Sequence, residues 1–329
     1  MTSTAASPTS CTAEQPGPGG HRPAPLGVVL VHRNRPDVVV DTVAAFEAQG
    51  LPLEVVVVDN SDSTTVAGEL GERLAGRATV LSTGRNAGFG PGANTGLRHW
   101  LASGTGDRVV VAPHDARPEP GCLAAITAEL DLRPDAGLAS AEFGPGFDLV
   151  PTFDWVIGGF YKKGPRGRGW QDVDYPHGTL MVATRRLLEE VGLFDDRYFA
   201  YCEEADLGRR ARASGWRVGM VWGAVVRNDT LPPQLVSDYL KERNTLLLVR
   251  DGGRWPTFVR GVLGAGMAVG RARRDRAAAG LHLRLWWHAV RDFRRRSFGP
   301  PPPEVWDLVA GRDRPEVPAD EWAKGPATP

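Results

Sequence analysis

Three stretches of this 329-residue chain place polar side chains just beyond an apolar or aromatic run, where chemistry on a small anionic ligand could be done. The run Val55–Val58 ends in Asp59-Asn60-Ser61-Asp62, and a carboxylate and an amide past a buried strand can hydrogen-bond a nucleobase or a ribose. The same residue types cap turns for their own reasons, so both readings stand at this point. The run Val109–Ala112 ends in Pro113-His114-Asp115. A carboxylate there suits a hard divalent cation bridging a diphosphate, because Mg2+ takes one or two protein carboxylates and completes its shell with phosphate oxygens. The plainer alternative is an Asp that caps the next turn. Finally, Phe194, Tyr198, Phe199 and Tyr201 precede Glu203, Glu204 and Asp206. Acids in a first helical turn are favoured by the helix dipole. Three of them behind an aromatic wall are also how a general base is shielded and its pKa raised.

A fourth stretch, Gly84 to Gly96, is glycine-rich. Gly88-Phe-Gly-Pro-Gly-Ala93 literally satisfies G-x-G-x-x-A, and Asp107 follows about twenty residues on, as a dinucleotide fingerprint expects. That fingerprint belongs after the first strand of its unit, whereas two strand–helix units precede it here. A nicotinamide-dependent oxidoreductase is therefore a distant alternative. Arg85, Asn86 and Asn94 read better as polar ligands, with backbone amides of the loop facing a phosphate or ribose.

The elements that must position these groups alternate. Leu26–Val31 is a short apolar run ending in the polar turn His32-Arg-Asn34-Arg-Pro36, Asp37–Gln49 has helical spacing, and Leu53–Val58 is a second strand. A helix over 64–76, a strand over 78–81, a helix over 93–102 and a strand over 108–112 follow. Strand, helix, strand implies right-handed parallel crossovers, with the ligand at the C-terminal ends of the strands. Residues 141–176 are rich in Gly, Pro and aromatics and read as a loop-heavy wall. Beyond it come a strand over 178–183, helices over 184–191 and 203–214, an extended segment over 216–222 and a helix over 235–249. Residues 1–25 read as a disordered tail without the apolar core of a secretory signal, and no run of ~20 apolar residues suggests a membrane span.

Composition bounds the partners. Lys and Arg total 39 against 39 Asp and Glu, which speaks against a uniformly basic nucleic-acid binder. The balance hides a basic segment: eleven Arg between Arg254 and Arg296 face only Asp275 and Asp292, interleaved with Phe258, Leu285, Trp286, Trp287 and Phe293. Residues 251–298 read either as amphipathic helices lying on an anionic membrane or as helices packing their apolar faces on the rest of the chain. From residue 299 a proline run leads into an acidic tail read as loose. Cys11, Cys122 and Cys202, odd in number and far apart, fit a reducing, cytoplasmic setting.

The succession of Val-Val-Asp-Asn-Ser, Arg-Asn-Ala-Gly-Phe-Gly, the strand ending at Asp115, Gly178 in His-Gly-Thr-Leu-Met, Gly-Leu-Phe-Asp-Asp-Arg-Tyr-Phe and Tyr-Cys-Glu-Glu-Ala-Asp-Leu resembles glycosyltransferase family 2, in its rhamnosyltransferase-like branch. The likeness spans 26–250 and ends near an Arg-Asn element at Arg243. It implies an α/β GT-A fold, with a central mostly parallel sheet flanked by helices and a C-terminal helical appendage. It also implies a nucleotide-sugar donor, a divalent cation (Mg2+ or Mn2+), a glycan or lipid-linked acceptor, and inversion at the anomeric carbon. By position, Asn34, Asp59, Asn60, Arg85, Asn86 and Gly88 would hold the donor nucleotide. Asp115, with His114, would hold the metal, and Gly178, Asn228 and Arg243 would lie on the acceptor or diphosphate side. Glu204 would be the base, flanked by Glu203 and Asp206. Three positions depart from the pattern: Pro113 replaces the first metal-motif residue, Glu204 replaces an Asp, and Asn228 replaces a His. These departures motivate a second alternative, a non-catalytic domain of this fold that binds a nucleotide or glycan.

Overall fold

The computed structural model describes residues 24–310 apart from 145, 147, 155–158, 229–233, 251, 252 and 277; the expected N-terminal tail up to residue 23 and the acidic end from 311 lie outside the described residues. Apolar runs buried on both faces form the first strands, β1 (Leu26–His32) and β2 (Leu53–Asp59), with α1 (Pro36–Glu47) between them. Then come α2 (Thr64–Arg73), β3 (Thr79–Ser82), α3 (Phe89–Ser103), β4 (Arg108–Pro113), β5 (Ala116–Pro118), α4 (Cys122–Asp131) and β6 (Ala136–Glu142). The wall holds a small antiparallel pair, β7 (Leu149–Pro151) with β8 (Tyr161–Lys163), followed by β9 (Gly169–Asp172). The order closes with β10 (Met181–Thr184), α5 (Arg185–Val191), α6 (Glu203–Ala213), β11 (Arg217–Asn228), α7 (Gln234–Arg250), α8 (Arg254–Arg274), α9 (Ala279–Arg295) and α10 (Pro303–Val309).

The main sheet runs β3-β2-β1-β4-β10-β6-β11-β5, with β9 also on β11. β3, β2, β1 and β4 are mutually parallel, as the crossovers require, and β6 pairs β11 in parallel. β10 runs antiparallel to both β4 and β6. Both faces are covered: Val28, Leu30, Val57 and Val110 pack on one side with α1 and α4, and Val29, Val58 and Val111 on the other with Leu97 and Trp100 of α3. Double coverage is why these strands read as unbroken Val runs rather than alternating ones.

Several elements differ from the sequence-based expectation: β5, α4 and β6 fill a stretch to which no element was assigned, and β7, β8 and β9 give strands to the loop-heavy wall. α3 begins at Phe89 rather than Ala93, so the glycine-rich segment forms the first turn of a helix on the third crossover and does not follow β1. The nicotinamide reading fails on this context. β11 runs from Arg217 to Asn228 with a register shift between Met220 and Val225, and its last three residues pair with β5.

The basic segment divides. On α9, Leu281, Leu285 and Ala289 pack with Tyr239 and Leu240 of α7, together with Val305 and Val309 of α10. The proline run therefore leads into a packed helix through residue 309 rather than straight into a loose tail. On α8 the buried residues are Arg260, Gly264 and Ala268, and its large apolar side chains point outward. Among the described residues no helix is long and apolar enough to cross a membrane.

Candidate active site

The register gathers the chemistry-bearing groups at one edge of the sheet. His32, Asp59 and Pro113 end three adjacent parallel strands. Because β10 enters antiparallel, with Met181 opposite Val111, the residues just before it, including Gly178, emerge at the same edge as His114 and Asp115.

At the β1–β2 corner, His32 Nε2 accepts from the Arg35 amide at 2.7 Å, which places the ring proton on Nδ1, 3.1 Å from Asp59 Oδ1. Burial holds the His32 pKa below its usual value, consistent with this neutral tautomer. Asp59 Oδ1 also accepts from the amide and hydroxyl of Ser61, while Oδ2 is buried without a partner in the described structure. An orphaned carboxylate oxygen is costly and marks a place for a donor group of a ligand. Asn34 is exposed in a left-handed conformation, and its amide donates to Ser61 Oγ. The sequence signal for His32 was its place at the end of β1.

The glycine-rich loop is built around that corner. Asn60, 2% exposed, donates to the Gly88 carbonyl at 2.7 Å and accepts from Thr83 Oγ1, so it positions the loop rather than reaching out as a ligand. Asn86 accepts from the Gly88 amide and donates its own amide to Asp62; that bond and Arg33 hold the Asp62 carboxyl below its ordinary pKa. Arg85 is exposed at the loop tip. Gly88 has φ 93°, and a Cβ there would lie 2.2 Å from the Phe199 carbonyl oxygen. Only glycine allows this approach, which presses the loop against the turn that precedes the acids. Asn94, read from sequence as a ligand, is instead fully buried: it bonds the Phe194 backbone in both directions and Asp196 Oδ1 at 2.7 Å.

That turn is the most strained segment of the chain. Phe199, Tyr201 and Cys202 all have positive φ without being glycine. Asn244 of α7 explains how they are held: its Nδ2 lies 2.8, 2.9 and 2.8 Å from the carbonyl oxygens of Tyr198, Ala200 and Tyr201. Phe199 packs with Leu235, Tyr239 and Leu285, so the C-terminal helices form the mould of the turn. Sequence reasoning singled out Arg243 in this Arg-Asn element and missed Asn244. Arg243 does not reach the sheet edge: it is fully buried, bonding Asn244 Oδ1, the Tyr239 hydroxyl and the Gly299 carbonyl.

The turn delivers Glu203 and Glu204 as the first two residues of α6. Glu203 is 4% exposed with Oε2 unpartnered, and burial together with the charge of Glu204 raises its pKa well above the carboxylate range. Burial raises Glu204 too, but its own backbone amide and the Lys241 ammonium oppose the shift. Both carboxyls therefore hold a proton more readily than a free glutamate, and Lys241 favours the ionised form of Glu204. A Cβ on Gly178 would sit 3.5 Å from Glu204 Oε1, so the absent side chain leaves room beside the carboxylate. Tyr175 is raised by burial and by nearby Tyr161 and Glu204, and His177, held neutral by burial with its pKa lowered to about 3, stacks edge-on against Phe143. Lys241, Tyr161 and His177 carried no sequence signal because they lie far apart in the chain. Asp206, grouped with the acids in sequence, is engaged by Arg209 at 2.9 Å and Arg210 at 2.7 Å, and Arg210 in turn holds the carbonyls of Val191 and Leu193. It serves the structure of α6.

Asp115 is buried to 3% at the foot of β5, and across the strand pair Asn228 lies opposite Ala116 with its Oδ1 buried and unpartnered. His114, expected as a second ligand, packs edge-on against the His32 ring at 5.8 Å, and burial keeps its pKa low. No three His, Cys, Asp or Glu side chains converge among the described residues. One carboxylate and one amide oxygen match a cation shared with a substrate's phosphate oxygens, not one caged by protein alone.

A mixed sheet with Asp59 and Asp115 at the C-terminal ends of its parallel strands, and a carboxyl pair opening a helix beside a glycine loop, define a glycosyltransferase of GT-A architecture. The chain belongs to glycosyltransferase family 2, whose model, "Glycosyl transferase family 2", matches residues 27–192. It is similar to N-acetylglucosaminyl-diphospho-decaprenol L-rhamnosyltransferase of Mycobacterium tuberculosis, 25% identical over 252 residues that cover 66% of this chain and 82% of that protein. The fold is also that of a mannosyltransferase from Pyrobaculum calidifontis in complex with GDP-Man and Mn2+ (TM-score 0.52, 18% identity, 88% and 79% of the two chains). S. aureus TarS 1-349 in complex with UDP-GlcNAc shares it as well (TM-score 0.53, 14% identity, 86% and 83%).

Proposed function

We propose that this glycosyltransferase moves a deoxysugar, rhamnose, from a nucleoside-diphosphate donor to a hydroxyl of a lipid-linked glycan, by a single inverting displacement with Glu204 as base. The observation that carries the reading is the Glu203–Glu204 pair, two carboxyls that open α6 with raised pKa values, Glu204 lying beside Gly178. Glu204 accepts the proton of the acceptor hydroxyl, the freed oxygen bonds to the sugar C1, and the C1–oxygen bond to the diphosphate breaks, releasing nucleoside diphosphate. The choice of sugar and acceptor rests on the printed activity of the mycobacterial relative and on the branch that the motifs resemble.

Asn34, Asp59 and the Arg85–Gly88 loop would hold the nucleotide, with Asp59 Oδ2 as the buried acceptor for a donor group on the base or ribose. Asp115, with Asn228 Oδ1, would hold a Mg2+ or Mn2+ ion that supplies charge neutralisation to the leaving diphosphate. A cytoplasmic setting, facing a lipid-linked acceptor at the inner membrane leaflet, accords with the reduced, buried Cys122 and Cys202.

The test is a panel of nucleotide sugars, dTDP-rhamnose among them, assayed for nucleoside diphosphate release with a polyprenyl-diphosphate-linked acceptor. Glu204→Gln should lower turnover by about a thousandfold or more while donor binding persists. Turnover preserved in that variant would remove Glu204 from the role.

A further inference from the structure

The geometry points to the outward face of α8 as a docking surface for an anionic lipid bilayer. Helix faces that meet a core are ordinarily the apolar ones, yet α8 is inverted. It buries Arg260, Gly264 and Ala268 against the rest of the C-terminal helices and exposes Trp255 (71%), Phe258 (61%), Val262 (56%) and Val269 (40%). These four lie three, seven and fourteen residues along from Trp255, which places them on one line of the helix surface. Trp255 and Phe258 stack on each other at 5.9 Å in the open. Exposed apolar stripes of this length are uncommon on a surface with no partner.

Charge selects the occupant. Arg254, Arg273, Arg274 and Arg276 are exposed at the two ends of the stripe, and Asp275 is the only acid between 253 and 276. An apolar line ending in arginines complements a bilayer whose surface is anionic and whose interior is hydrocarbon, with Trp suited to the boundary. Because no described helix can cross a membrane, α8 lies along the surface.

The burial of Arg260 explains why this platform is rigid with respect to the active site. Its guanidinium bonds Glu242 Oε2 at 2.7 Å, both side chains being about 5% exposed or less. Glu242 sits on α7 between Lys241, which faces Glu204, and the Arg243-Asn244 pair that holds the catalytic turn. Docking α8 therefore fixes the height of Glu204 above the lipid. The inference deepens the proposed lipid-linked acceptor, but lipid binding is read without any sugar transfer, so the two readings can fail separately.

The experiment is co-sedimentation of the full chain with vesicles of phosphatidylcholine alone and of phosphatidylcholine mixed with phosphatidylglycerol. The full chain should bind the mixed vesicles and be released by high salt. Trp255→Ala with Phe258→Ala, and separately Arg273→Glu with Arg274→Glu, should each reduce partitioning by about tenfold or more, with thermal unfolding unchanged because the side chains are exposed. Absence of binding to mixed vesicles, or binding indifferent to both pairs of substitutions, overturns the proposal. So does a sedimentation-velocity shift from dimer to monomer in the aromatic variant, which would assign the face to a second copy. Binding that appears only after residues 311–329 are removed would assign it to the chain's own tail, and would equally overturn it.

Discussion

Asn244→Ala tests whether the C-terminal helices shape the catalytic turn. The two hydrogens of Nδ2 serve three carbonyls at 2.8–2.9 Å, the bond to Tyr198 buried and those to Ala200 and Tyr201 part-buried. Removing a buried partner costs about 1–3 kcal/mol per group left unsatisfied, with the low end applying to the shared bond. Phe199, Tyr201 and Cys202 each hold a left-handed conformation that costs about 1–2 kcal/mol, which the clamp and the burial of Phe199 offset. Loss of the clamp should therefore destabilise the protein by about 2–4 kcal/mol in urea unfolding and let the turn relax. Glu204 is the second residue of the helix that follows the turn, and a displacement of about 1 Å there corresponds to about a hundredfold in kcat. Asn244→Asp sharpens the test. It keeps an acceptor for Arg243 Nε, so it should be harmless if Asn244 serves mainly Arg243. It turns a carboxylate oxygen toward three carbonyls, so it should be at least as damaging as Ala if the clamp is the function. A stability change under about 0.5 kcal/mol with kcat within about twofold of wild type would refute the reasoning.

Three further outcomes follow from the same geometry. Activity should rise with pH through the pKa of Glu204, which burial lifts above the ordinary carboxylate value of about 4.3; Lys241→Ala removes a cation that lowers it, so the acid limb of kcat/KM should move to higher pH, and a limb that stays or moves down counts against the assignment. Gly88→Ala should destabilise by about 3 kcal/mol or more, since φ 93° and a 2.2 Å approach to the Phe199 carbonyl leave no room for a methyl group; an unchanged unfolding midpoint would mean that the loop and turn part without cost. For Glu203 the folded pKa is raised, so the group favours folding at low pH and that contribution is lost as pH rises from about 4.3 toward the folded value. Glu203→Gln does not titrate, so its stability relative to wild type should rise across that window and reach a gain on the order of 1 kcal/mol at neutral pH; a loss of that size in circular-dichroism melts would show that the carboxylate is needed.

Much of the donor half was legible because it is local. Strands buried on both faces announce themselves as unbroken Val runs, and a parallel crossover leaves its polar residues at the strand C-terminal ends, so Asp59, Asp115 and the Gly84–Gly96 loop could be found by reading along the chain. The misreadings share one cause. Asn60, Asn94, Asp206 and Arg243 have side chains that recognise a ligand and a backbone equally well, and nothing in one dimension says which partner is near.

What the sequence determined by itself was the order of strands and helices, the family and the acidic pair, since these depend on periodicity and on motifs with short spacing. Only the tertiary structure decided that both adjacent glutamates are raised above the ordinary carboxylate value, because that depends on burial, and that Lys241, 37 residues further along, opposes the shift at Glu204. It also decided that α7 reaches back through Asn244 to hold the turn before the acids, and that α9 turns its apolar face inward while α8 turns its own outward. Hydrophobic periodicity shows that a helix has two faces; which face is covered depends on the neighbours that the rest of the chain supplies.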